Sequence, residues 1–380
     1  MGGSVMCRIC CFCETWASGG IESFLTNVLL HMDRSNIEVD IVTVQIMESP
    51  FTSRLKEQGL TIHQLSGSKK RWISNCILFW KLLKTNQYDV VHLNVFQGLQ
   101  LVYLQLAKWA GVPVRIAHSH GSGLRKSKLR WCKLLLHKLG KTCFGSAATL
   151  RWTCSQQAES FLFGENAAEL IPNGIDVERY RFRADDRERV RKELGLTGKF
   201  VIGSVGRLQF DKNQSFLLDV LAQMLPERPD AVLLLVGDGP ARQELRDKAK
   251  KLGVAQSVIF YGVSDRVEEL LWAMDVFAFP SLSEGFGLVA VEAQAAGLPV
   301  ICSEYIPEEV NLTPYFVCIP LTSGIEVWAK AIMQAETVSR KDAPEIVRQA
   351  GFELSGVSDR VRTRYVNNYY EKICGKERCK

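Results

Sequence analysis

The 380-residue sequence lacks several patterns that mark particular classes of protein. No run of 18 apolar residues occurs, so no transmembrane helix is expected. The N-terminus has no basic segment followed by a long apolar run, so we expect no secretory signal peptide. A G-x-G-x-x-G motif is also missing, because neither GSVGRL (203–208) nor VGDGPA (236–241) continues with that spacing. This absence argues against a nicotinamide-dependent dehydrogenase.

Cysteine is abundant, with 12 residues, and four of them lie in the apolar run CRICCFC (7–13). Alternation along a strand would point Cys7, Cys11 and Cys13 to one face and Cys10 to the other. A tetrahedral zinc site needs ligands that converge from turns, and no Cys or His pair elsewhere has matching spacing. We therefore expect buried, reduced thiols and no metal.

The charge is distributed unevenly. The chain carries a net charge of +6, but residues 1–175 have 19 Lys and Arg against 11 Asp and Glu, which is +8, and the rest is −2. This asymmetry predicts an anionic partner for the front half. We expect no nucleic acid among the partners.

Short apolar runs alternate with helical patterns along the whole chain, which is typical of parallel sheets covered on both faces. We predict two doubly wound α/β domains that face a cleft, because ligands bind beyond the carboxyl ends of parallel strands. The predicted domains span 1–175 and 176–355, and they are followed by a terminal segment, 356–380. The predicted strands are 8–13, 39–45, 61–65, 89–95, 113–120 and 150–155, then 199–206, 231–237, 257–262, 275–280, 299–303 and 315–320.

The segment SEGFGLVAVEAQAAGLPVI (281–299) follows a strand and opens a helix. Its two glycines, Gly285 and Gly287, allow close approach of a ligand to the backbone, and the amides of Phe286–Leu288 suit phosphate at a helix N-terminus. Glu284 and Glu292 are candidates for binding a vicinal diol. The alternative is that Glu284 only complements the helix dipole and Glu292 is solvated.

Two further loops follow strands in the back half. Arg207 and Lys212 in VGRLQFDKNQ (205–214) form a cation pair that suits a diphosphate, unless both are merely surface residues. The turn LVGDGP (235–240), with Gly237, is typical of a cleft edge, although many α/β proteins share it.

The front half offers two candidates. In SGGIESF (18–24), the amides at Gly19 and Gly20 could meet phosphate oxygens, or the glycines could serve only the turn. In AHSHGSG (117–123), His118 and His120 share a strand face, where a histidine can donate to a hydroxyl or transfer a proton. Zinc binding by this pair lacks a third ligand.

Together these motifs resemble glycosyltransferase family 4, retaining enzymes with the GT-B fold. The resemblance covers nearly the whole chain and is strongest over 205–303, while Gly-Gly-x-Glu and His-Ser-His resemble the branch that builds bacterial exopolysaccharides and capsules. It implies a hexosyltransferase that moves a sugar from a nucleotide-diphosphate sugar, such as a UDP-sugar, to an acceptor hydroxyl. A nucleotide-sugar epimerase on the same architecture and a non-catalytic sugar-nucleotide binder are the alternatives.

The resemblance also implies roles for individual residues. Arg207 and Lys212 would hold the diphosphate, and Glu292 the ribose hydroxyls. Glu284 and the Phe286–Leu288 amides would hold the sugar and phosphates. In the front domain, Gly19 and Gly20 would close over the diphosphate, and either His120 or His118 would contact the sugar. The terminal helix near 356–373 would return to the front domain. No cofactor or metal is expected, and no Asp-x-Asp stands at a strand end in the back half.

Two departures from the family pattern stand out. SEYIPEEV (303–310) replaces a small glycine-rich turn after the second glutamate's helix, which puts acceptor-side or sugar contacts in doubt. Asn213 follows Lys212 where glycine is common.

The segment LRKSKLRWCKLLLHKLGK (124–141) carries seven Lys and Arg and no acidic residue. It predicts a polar loop followed by a basic amphipathic helix, a type that lies on anionic membranes. The expected acceptor is a lipid-linked or free saccharide, and the expected location is cytoplasmic, peripheral on the inner face of the plasma membrane. The alternative is a helix whose apolar stripe packs on the front sheet.

Overall fold

A computed structural model describes residues 6–17, 19–47, 49–123, 130–335 and 340–377. The chain divides into two compact units. Unit 1 combines Met1–Gly174 with Leu354–Lys380, and unit 2 is the continuous segment Ile175–Glu353. Each unit is built around one parallel sheet.

The sheet of unit 1 has seven strands in the order β3-β2-β1-β4-β5-β6-β7, and all its neighbouring strands are parallel. The strand order reverses beside β1, so the sheet is doubly wound. Its strands are β1 (Cys7–Trp16), β2 (Ile37–Ile46), β3 (Thr61–Gln64), β4 (Val90–Val95), β5 (Val114–Ser119), β6 (Leu150–Thr153) and β7 (Glu169–Leu170).

Helices cover both faces of this sheet. Side chains of α1, α2 and α15 pack in one core and those of α3 and α4 in the other. The helices of unit 1 are α1 (Gly20–His31), α2 (Pro50–Glu57), α3 (Trp72–Asn86), α4 (Val102–Ala110), α5 (Arg130–Phe144), α6 (Gln156–Leu162) and α15 (Leu354–Glu377).

The cysteines of β1 alternate between these two cores. Cys7, Cys11 and Cys13 pack with α1 and α15, whereas Cys10 packs on the opposite face. The predicted burial and alternation are thus confirmed, and all four thiols are free. Burial raises the pKa of Cys7 and of Cys11 to about 12, so both thiols stay protonated at neutral pH.

Unit 2 repeats the architecture with six parallel strands in the order β10-β9-β8-β11-β12-β13. They are β8 (Phe200–Val205), β9 (Ala231–Val236), β10 (Val258–Gly262), β11 (Val276–Phe279), β12 (Val300–Cys302) and β13 (Phe316–Cys318). Its helices are α7 (Val177–Tyr180), α8 (Ala184–Glu193), α9 (Gln214–Met224), α10 (Arg242–Lys251), α11 (Val267–Ala273), α12 (Leu288–Ala295), α13 (Ile325–Met333) and α14 (Ala343–Val347).

All twelve predicted strands are present. The central strands β4, β9 and β11 are buried on both faces by the flanking helices, whereas the edge strands β3 and β13 are partly exposed. The sequence analysis missed β7, a two-residue strand too short to show a hydrophobic period. The described helices include none with the length and apolar content that crossing a membrane requires.

Candidate active site

In unit 2, the sequence-predicted residues gather at one edge of the sheet. Strands β9, β8 and β11 are neighbours in the sheet. The loop after β8 carries Arg207 and Lys212, the loop after β9 carries Gly237, and the loop after β11 carries Glu284. In a parallel sheet these ends meet at the same edge. Segments far apart in the chain therefore contribute to one surface.

The loops after β8 and β9 are locked together through their backbones. Leu208 N donates to Asp238 O at 3.0 Å, and Gly206 N donates to Val236 O at 2.9 Å. A Cβ on Gly237 would lie 2.1 Å from Gly206 O, and the φ of Gly237 is +127°. Gly237 is therefore required for the close approach of the two loops, whatever its role toward a ligand.

Lys212 and Glu284 form the central ion pair of this edge. Lys212 Nζ lies 2.5 Å from Glu284 Oε1, and the Glu284 side chain is buried. Lys212 Nζ also lies 5.6 Å from the centre of the Phe279 ring. Leu282 N donates to Asp211 O at 2.8 Å and holds the two loops in register. The pair places a cation and a carboxylate acceptor side by side.

Arg207 is exposed and stands outside this pair. Its backbone oxygen accepts from Gln214 Nε2 at 3.1 Å, which fixes the loop but leaves the guanidinium in solvent. The structure therefore joins Lys212 to Glu284 directly and leaves Arg207 on the surface of the same loop.

Asn213 shows why glycine is common after the lysine. Its φ of +53° and ψ of +32° are left-handed, at the start of α9. Asparagine tolerates this region better than most residues other than glycine. Its Nδ2 also donates to Pro280 O at 3.2 Å, which ties the loop to the end of β11. This departure preserves the loop.

The paired-glutamate segment opens α12 as expected. Gly287 takes a left-handed φ of +87° just before the helix, and Phe286 is buried against Phe352, with ring centres 5.8 Å apart. Gly285 and Leu288 are half-buried. The side chain of Phe286 thus holds the turn in place, and at this residue only the backbone is available for a ligand.

Glu292 has partners of its own in the second turn of α12. It accepts a hydrogen bond from Tyr180 and lies near Arg179. Burial raises the pKa of Glu292 to about 7, and Tyr180 and Arg179 act in the opposite direction. Glu292 is thus half-buried and hydrogen-bonded, which differs from the fully solvated side chain of the alternative.

The replaced turn at 303–310 is held by a residue that the sequence analysis did not single out. Gln294 is fully buried in α12, and its Nε2 donates to Val310 O at 2.7 Å. Its Oε1 accepts from the amides of Leu312 and Thr313, both at 3.0 Å. One amide side chain thus organises this loop without glycine. The sequence does not single out Gln294, because one glutamine forms no motif and its burial cannot be read from the sequence.

In unit 1, the two glycines after β1 lie beside a carboxylate. Glu22 is buried, and its Oε1 accepts from Ala17 N at 3.1 Å, with further backbone hydrogen bonds at Gly19. A Cβ on Gly19 would lie 2.6 Å from Glu22 Oε2. Gly19 therefore allows Glu22 to fold over its own helix start, as in a capping box. A phosphate at Gly19 and the exposed Gly20 would have to compete with this carboxylate.

The histidine pair lies at the carboxyl end of β5, with His118 inside the strand and His120 just after it, and both side chains are buried. His120 Nε2 lies 2.9 Å from Asn94 Oδ1, while Asn94 Nδ2 donates to Phe12 O. Because Asn94 therefore accepts through Oδ1, His120 carries its proton on Nε2 and its Nδ1 is an acceptor. Burial lowers the pKa of His120 to about 3. The ring is thus neutral at physiological pH and unsuited to the role of a general acid.

His118 belongs to a chain of hydrogen bonds that reaches α15. Its Nδ1 lies 3.1 Å from His92 Nε2, and His92 Nδ1 lies 2.6 Å from the hydroxyl of Tyr365. Burial lowers the pKa of His92 to about 3. His118 is completely buried, whereas His120 keeps slight exposure at the strand's end. Asn94 and Tyr365 were not predicted as site residues, although Asn94 shares a face of β4 with His92.

The predicted basic helix is present as α5, with 124–129 lying outside the described residues. Its buried positions are His137 and Gly140. Trp131, Leu135 and Leu139 are exposed instead of packing on the sheet. Across the described ranges, no group of three or more His, Cys, Asp and Glu has the geometry of a metal site.

Comparisons with known families match both halves of the chain. The family described as "Glycosyl transferases group 1" matches residues 186–349. The family described as "Glycosyltransferase Family 4" matches residues 18–179. The two matches follow one another along the chain with little sequence between them.

Individual proteins are similar over long stretches. "Putative glycosyltransferase EpsF" of Bacillus subtilis is 30% identical over 352 residues, covering 88% of this chain and 90% of that protein. A "UDP-Gal:alpha-D-GlcNAc-diphosphoundecaprenol alpha-1,3-galactosyltransferase" of Escherichia coli is 30% identical over 241 residues, covering 61% and 62%.

A solved structure, Anabaena Alr3699/HepE in complex with UDP and glucose, has a similar fold. Its TM-score is 0.78 at 22% identity, over 95% of this chain and 100% of that one. None of these relatives is an epimerase.

Proposed function

The chain belongs to the group 1 and family 4 glycosyltransferases, and from that premise we propose a retaining transfer of a sugar from a UDP-sugar to a lipid-linked saccharide in exopolysaccharide or capsule synthesis. The glycosyltransferase activity and the GT-B architecture follow from the family. The donor, the acceptor and the retention of anomeric configuration are the proposal. The epimerase alternative has no support among the relatives.

The observation that carries the donor proposal is the Lys212–Glu284 pair at the sheet edge of unit 2. As the bond from the sugar carbon to the diphosphate breaks, negative charge grows on the diphosphate and positive charge on the ring. Lys212 and the exposed Arg207 would match the first charge, and the carboxylate of Glu284, which contacts Lys212, would also bind the sugar. The acceptor oxygen bonds to the same carbon, and the proton of its hydroxyl group passes to the departing diphosphate oxygen.

Glu292 is proposed to bind the ribose hydroxyls of the donor. A carboxylate can accept two hydrogen bonds from a vicinal diol, and the hydrogen bond from Tyr180 already orients this one. The UDP complexes of the HepE structure support a uridine nucleotide as the first donor to test. The Gly237 turn and the amides from Phe286 to Leu288 would lie beside the phosphates.

His120 is proposed as the front-domain contact to the sugar, in preference to His118. His118 is completely buried and its Nδ1 already contacts His92. His120 stands at the end of its strand with Nδ1 as an acceptor, so it would accept a hydrogen bond from a sugar hydroxyl. Gly19 and Gly20 are proposed to meet the diphosphate after it displaces the Glu22 carboxylate.

A lipid-linked acceptor is supported by the name of the E. coli relative, whose acceptor is a diphosphoundecaprenol-linked sugar. Such an acceptor lies in a membrane, and segment 124–141 is proposed to bring the protein to the anionic inner face. In the described part of this segment, Trp131 is 67% exposed beside Lys133 and Lys138. Aromatic and cationic side chains together favour anionic lipid surfaces.

No metal or cofactor is proposed for the reaction, because Lys212 and Arg207 supply the positive charge that a divalent ion would otherwise bring to a diphosphate. Turnover should therefore continue undiminished in the presence of a chelator. Loss of turnover that added magnesium or manganese restores would contradict this part of the proposal.

The test is a donor panel of UDP-, GDP- and TDP-sugars, with diphosphate release measured in the absence of acceptor and with a short-chain lipid diphosphate saccharide. We expect release of UDP that the acceptor accelerates, and a product in which NMR shows the donor's anomeric configuration. The Glu284→Gln variant serves as the inactive control. An inverted product would refute retention, and exclusive use of GDP- or TDP-sugars would refute the uridine donor.

A further inference from the structure

Helix α3 in unit 1 carries apolar residues on two sides. Its buried positions are Asn75, Phe79 and Leu83, spaced four apart, so they form the stripe that packs on the sheet. Yet Ile73 is 69% exposed, and Ile77 is exposed on the same helix. Packing within the chain accounts for the first stripe only. The second stripe needs another explanation, since large apolar patches rarely face water without a function.

The neighbouring helices expose similar side chains. Helix α4 contacts both α3 and α5. Trp109 on α4 is 63% exposed, and Trp131 and Leu135 on α5 are exposed too. Helix α4 thus adjoins both other helices, and the exposed apolar side chains of the three are called the docking face here: Trp72, Ile73, Ile77, Trp109, Trp131 and Leu135.

The charge of this layer has one sign. Segments 69–86, 102–110 and 130–144 carry ten Lys and Arg and no Asp or Glu. Within the described ranges, Lys81, Lys133 and Lys138 have no carboxylate within ion-pair distance. The cations are therefore free to meet phosphate groups outside the chain.

We propose that α3 is a second membrane anchor beside α5, and that the docking face binds the surface of an anionic lipid bilayer. This extends the membrane contact of the proposed function, on whose lipid-linked acceptor it rests, to a helix that ends 44 residues before α5 begins. Isoleucine and tryptophan would enter the boundary between headgroups and acyl chains, while lysine and arginine stay at the phosphates.

A bilayer fits this face better than the other large partners. A second copy of the chain would place its ten Lys and Arg opposite the ten of the first copy, and like charges repel. Nucleic acid would satisfy the cations but would leave Ile73 and Ile77 in water. An anionic bilayer supplies phosphates and an apolar layer at the depths that the two kinds of side chain need.

The experiment is flotation of the full chain with phosphatidylcholine vesicles, prepared with and without phosphatidylglycerol, at low and at high salt. The α3 variant is Ile73→Ser with Ile77→Ser, and the matched control is Val263→Ser with Val327→Ser, which replaces two exposed aliphatic side chains of unit 2. Circular dichroism melting verifies that each variant folds. No donor or acceptor is present, so failure of this proposal and failure of the transfer reaction are distinguishable.

We expect wild type to float with the anionic vesicles, and the α3 variant to partition at least about tenfold more weakly, equivalent to about 1.4 kcal/mol. The matched control should float as wild type does. A variant with Lys133→Gln and Lys138→Gln should lose mainly the salt-sensitive part of binding, and the α3 variant mainly the salt-resistant part.

Three results would overturn the proposal. One is a wild type that ignores anionic vesicles at low salt. Another is a folded α3 variant that floats as well as wild type. The third is self-association of wild type through these helices, detected as a concentration-dependent mass that the α3 variant abolishes, without vesicle binding.

Discussion

Lys212 is paired with Glu284 before any ligand arrives, so a donor diphosphate must share the lysine with a buried carboxylate. The pairing has a physical use. It holds the ammonium group in position and leaves its remaining two protons for phosphate oxygens. Charge that grows on the leaving group then strengthens an interaction whose geometry already exists.

Replacing Lys212 with alanine should lower kcat for donor hydrolysis at least about a hundredfold, near 2.7 kcal/mol, because the cation acts on charge that develops in the transition state. The affinity for an uncharged acceptor analogue should change little. Lys199→Ala is the control, since this exposed lysine precedes β8 at the opposite end of the same strand. A kcat near that of wild type in Lys212→Ala would place the ion pair outside the reaction.

Glu292 should make donor use depend on pH. Its raised pKa of about 7 leaves part of the population protonated at neutral pH, and only the ionised form accepts from both ribose hydroxyls. We expect kcat/KM for the donor to fall as the pH drops below 7, about tenfold per unit. Glu292→Gln should flatten this part of the profile, and Glu292→Ala should lower transfer at least about a hundredfold.

The raised pKa of Glu292 also predicts that the free energy of unfolding rises as the pH falls, whereas kcat/KM for the donor falls. Between pH 4.5 and 7 the folded protein holds the Glu292 proton more tightly than the unfolded chain, so ionisation above this window destabilises the fold. Relative to Glu292→Gln, wild type should therefore gain stability as the pH falls through 7 toward 4.5, by on the order of 2 kcal/mol. Denaturant unfolding at several pH values measures this. A difference that does not vary with pH would show that the carboxylate titrates normally.

The sequence predicted much of this residue-level arrangement but not its partners. Lys212 and Glu284 were identifiable because motifs after strands converge on one sheet edge. Tyr180, Asn94 and Gln294 were not, because their roles depend on contacts between segments that carry no motif. The neutral state of His120 also required knowledge of its burial, since an isolated histidine titrates near pH 6.5.

At the scale of single elements, the connection from β8 to α9 shows how a loop conformation constrains residue choice. Asn213 occupies left-handed backbone and reaches Pro280 O with its side chain. Most strands were predicted from their apolar runs in the sequence. The left-handed backbone of Asn213 could not be, because it is known only from the φ and ψ angles of the structure. The same limit explains why the two-residue β7 was missed.

Asn213→Ala should destabilise unit 2 by about 1–2 kcal/mol, because alanine in left-handed backbone is strained and the hydrogen bond to Pro280 is lost. Asn213→Gly should cost less, since glycine adopts this backbone freely. Chemical unfolding of both variants gives the comparison. If alanine were tolerated better than glycine, the backbone argument would be wrong.

The terminal helix α15 should influence the histidines through one hydroxyl group. Tyr365→Phe leaves His92 Nδ1 without its 2.6 Å partner in a buried site, at a cost of about 1–3 kcal/mol. Tyr370→Phe, on an exposed position of the same helix, should have no measurable effect. Melting of the two variants tests this directly, and equal stability would mean that the Tyr365 hydroxyl contributes nothing.

At the scale of the molecule, unit 1 is assembled from both ends of the chain. Val357, Val361, Tyr365 and Tyr369 of α15 are buried in the same core as three cysteines of β1, Cys7, Cys11 and Cys13. Burying four such side chains contributes roughly 6–12 kcal/mol, which is comparable with the whole stability of a typical domain. The terminal helix is thus part of the fold of unit 1.

Deleting 354–380 should therefore unfold unit 1 and leave unit 2 folded. Calorimetry of the intact chain should show unfolding of both units, whereas the shortened chain should show a single transition from unit 2. Hydrogen exchange of the shortened chain should find protected amides in 175–353. Asp359→Ala, on the exposed side of α15, is the control. A shortened chain that still protects the amides of β1 and β4 would contradict the prediction.

The two ends of unit 2 meet: Ile175 N donates to Phe352 O at 2.9 Å, and Gly174 lies against Leu354 on the other side of the junction. On the ribosome this arrangement sets an order of events. At about 5–20 residues per second, the second unit emerges complete while the first still waits, roughly ten seconds or more, for its last helix. The half that is synthesised first is finished last. Until the last helix arrives, the core that it covers, which includes Cys7, Cys11 and Cys13, stays exposed to water, and chaperones would have to shield it during synthesis.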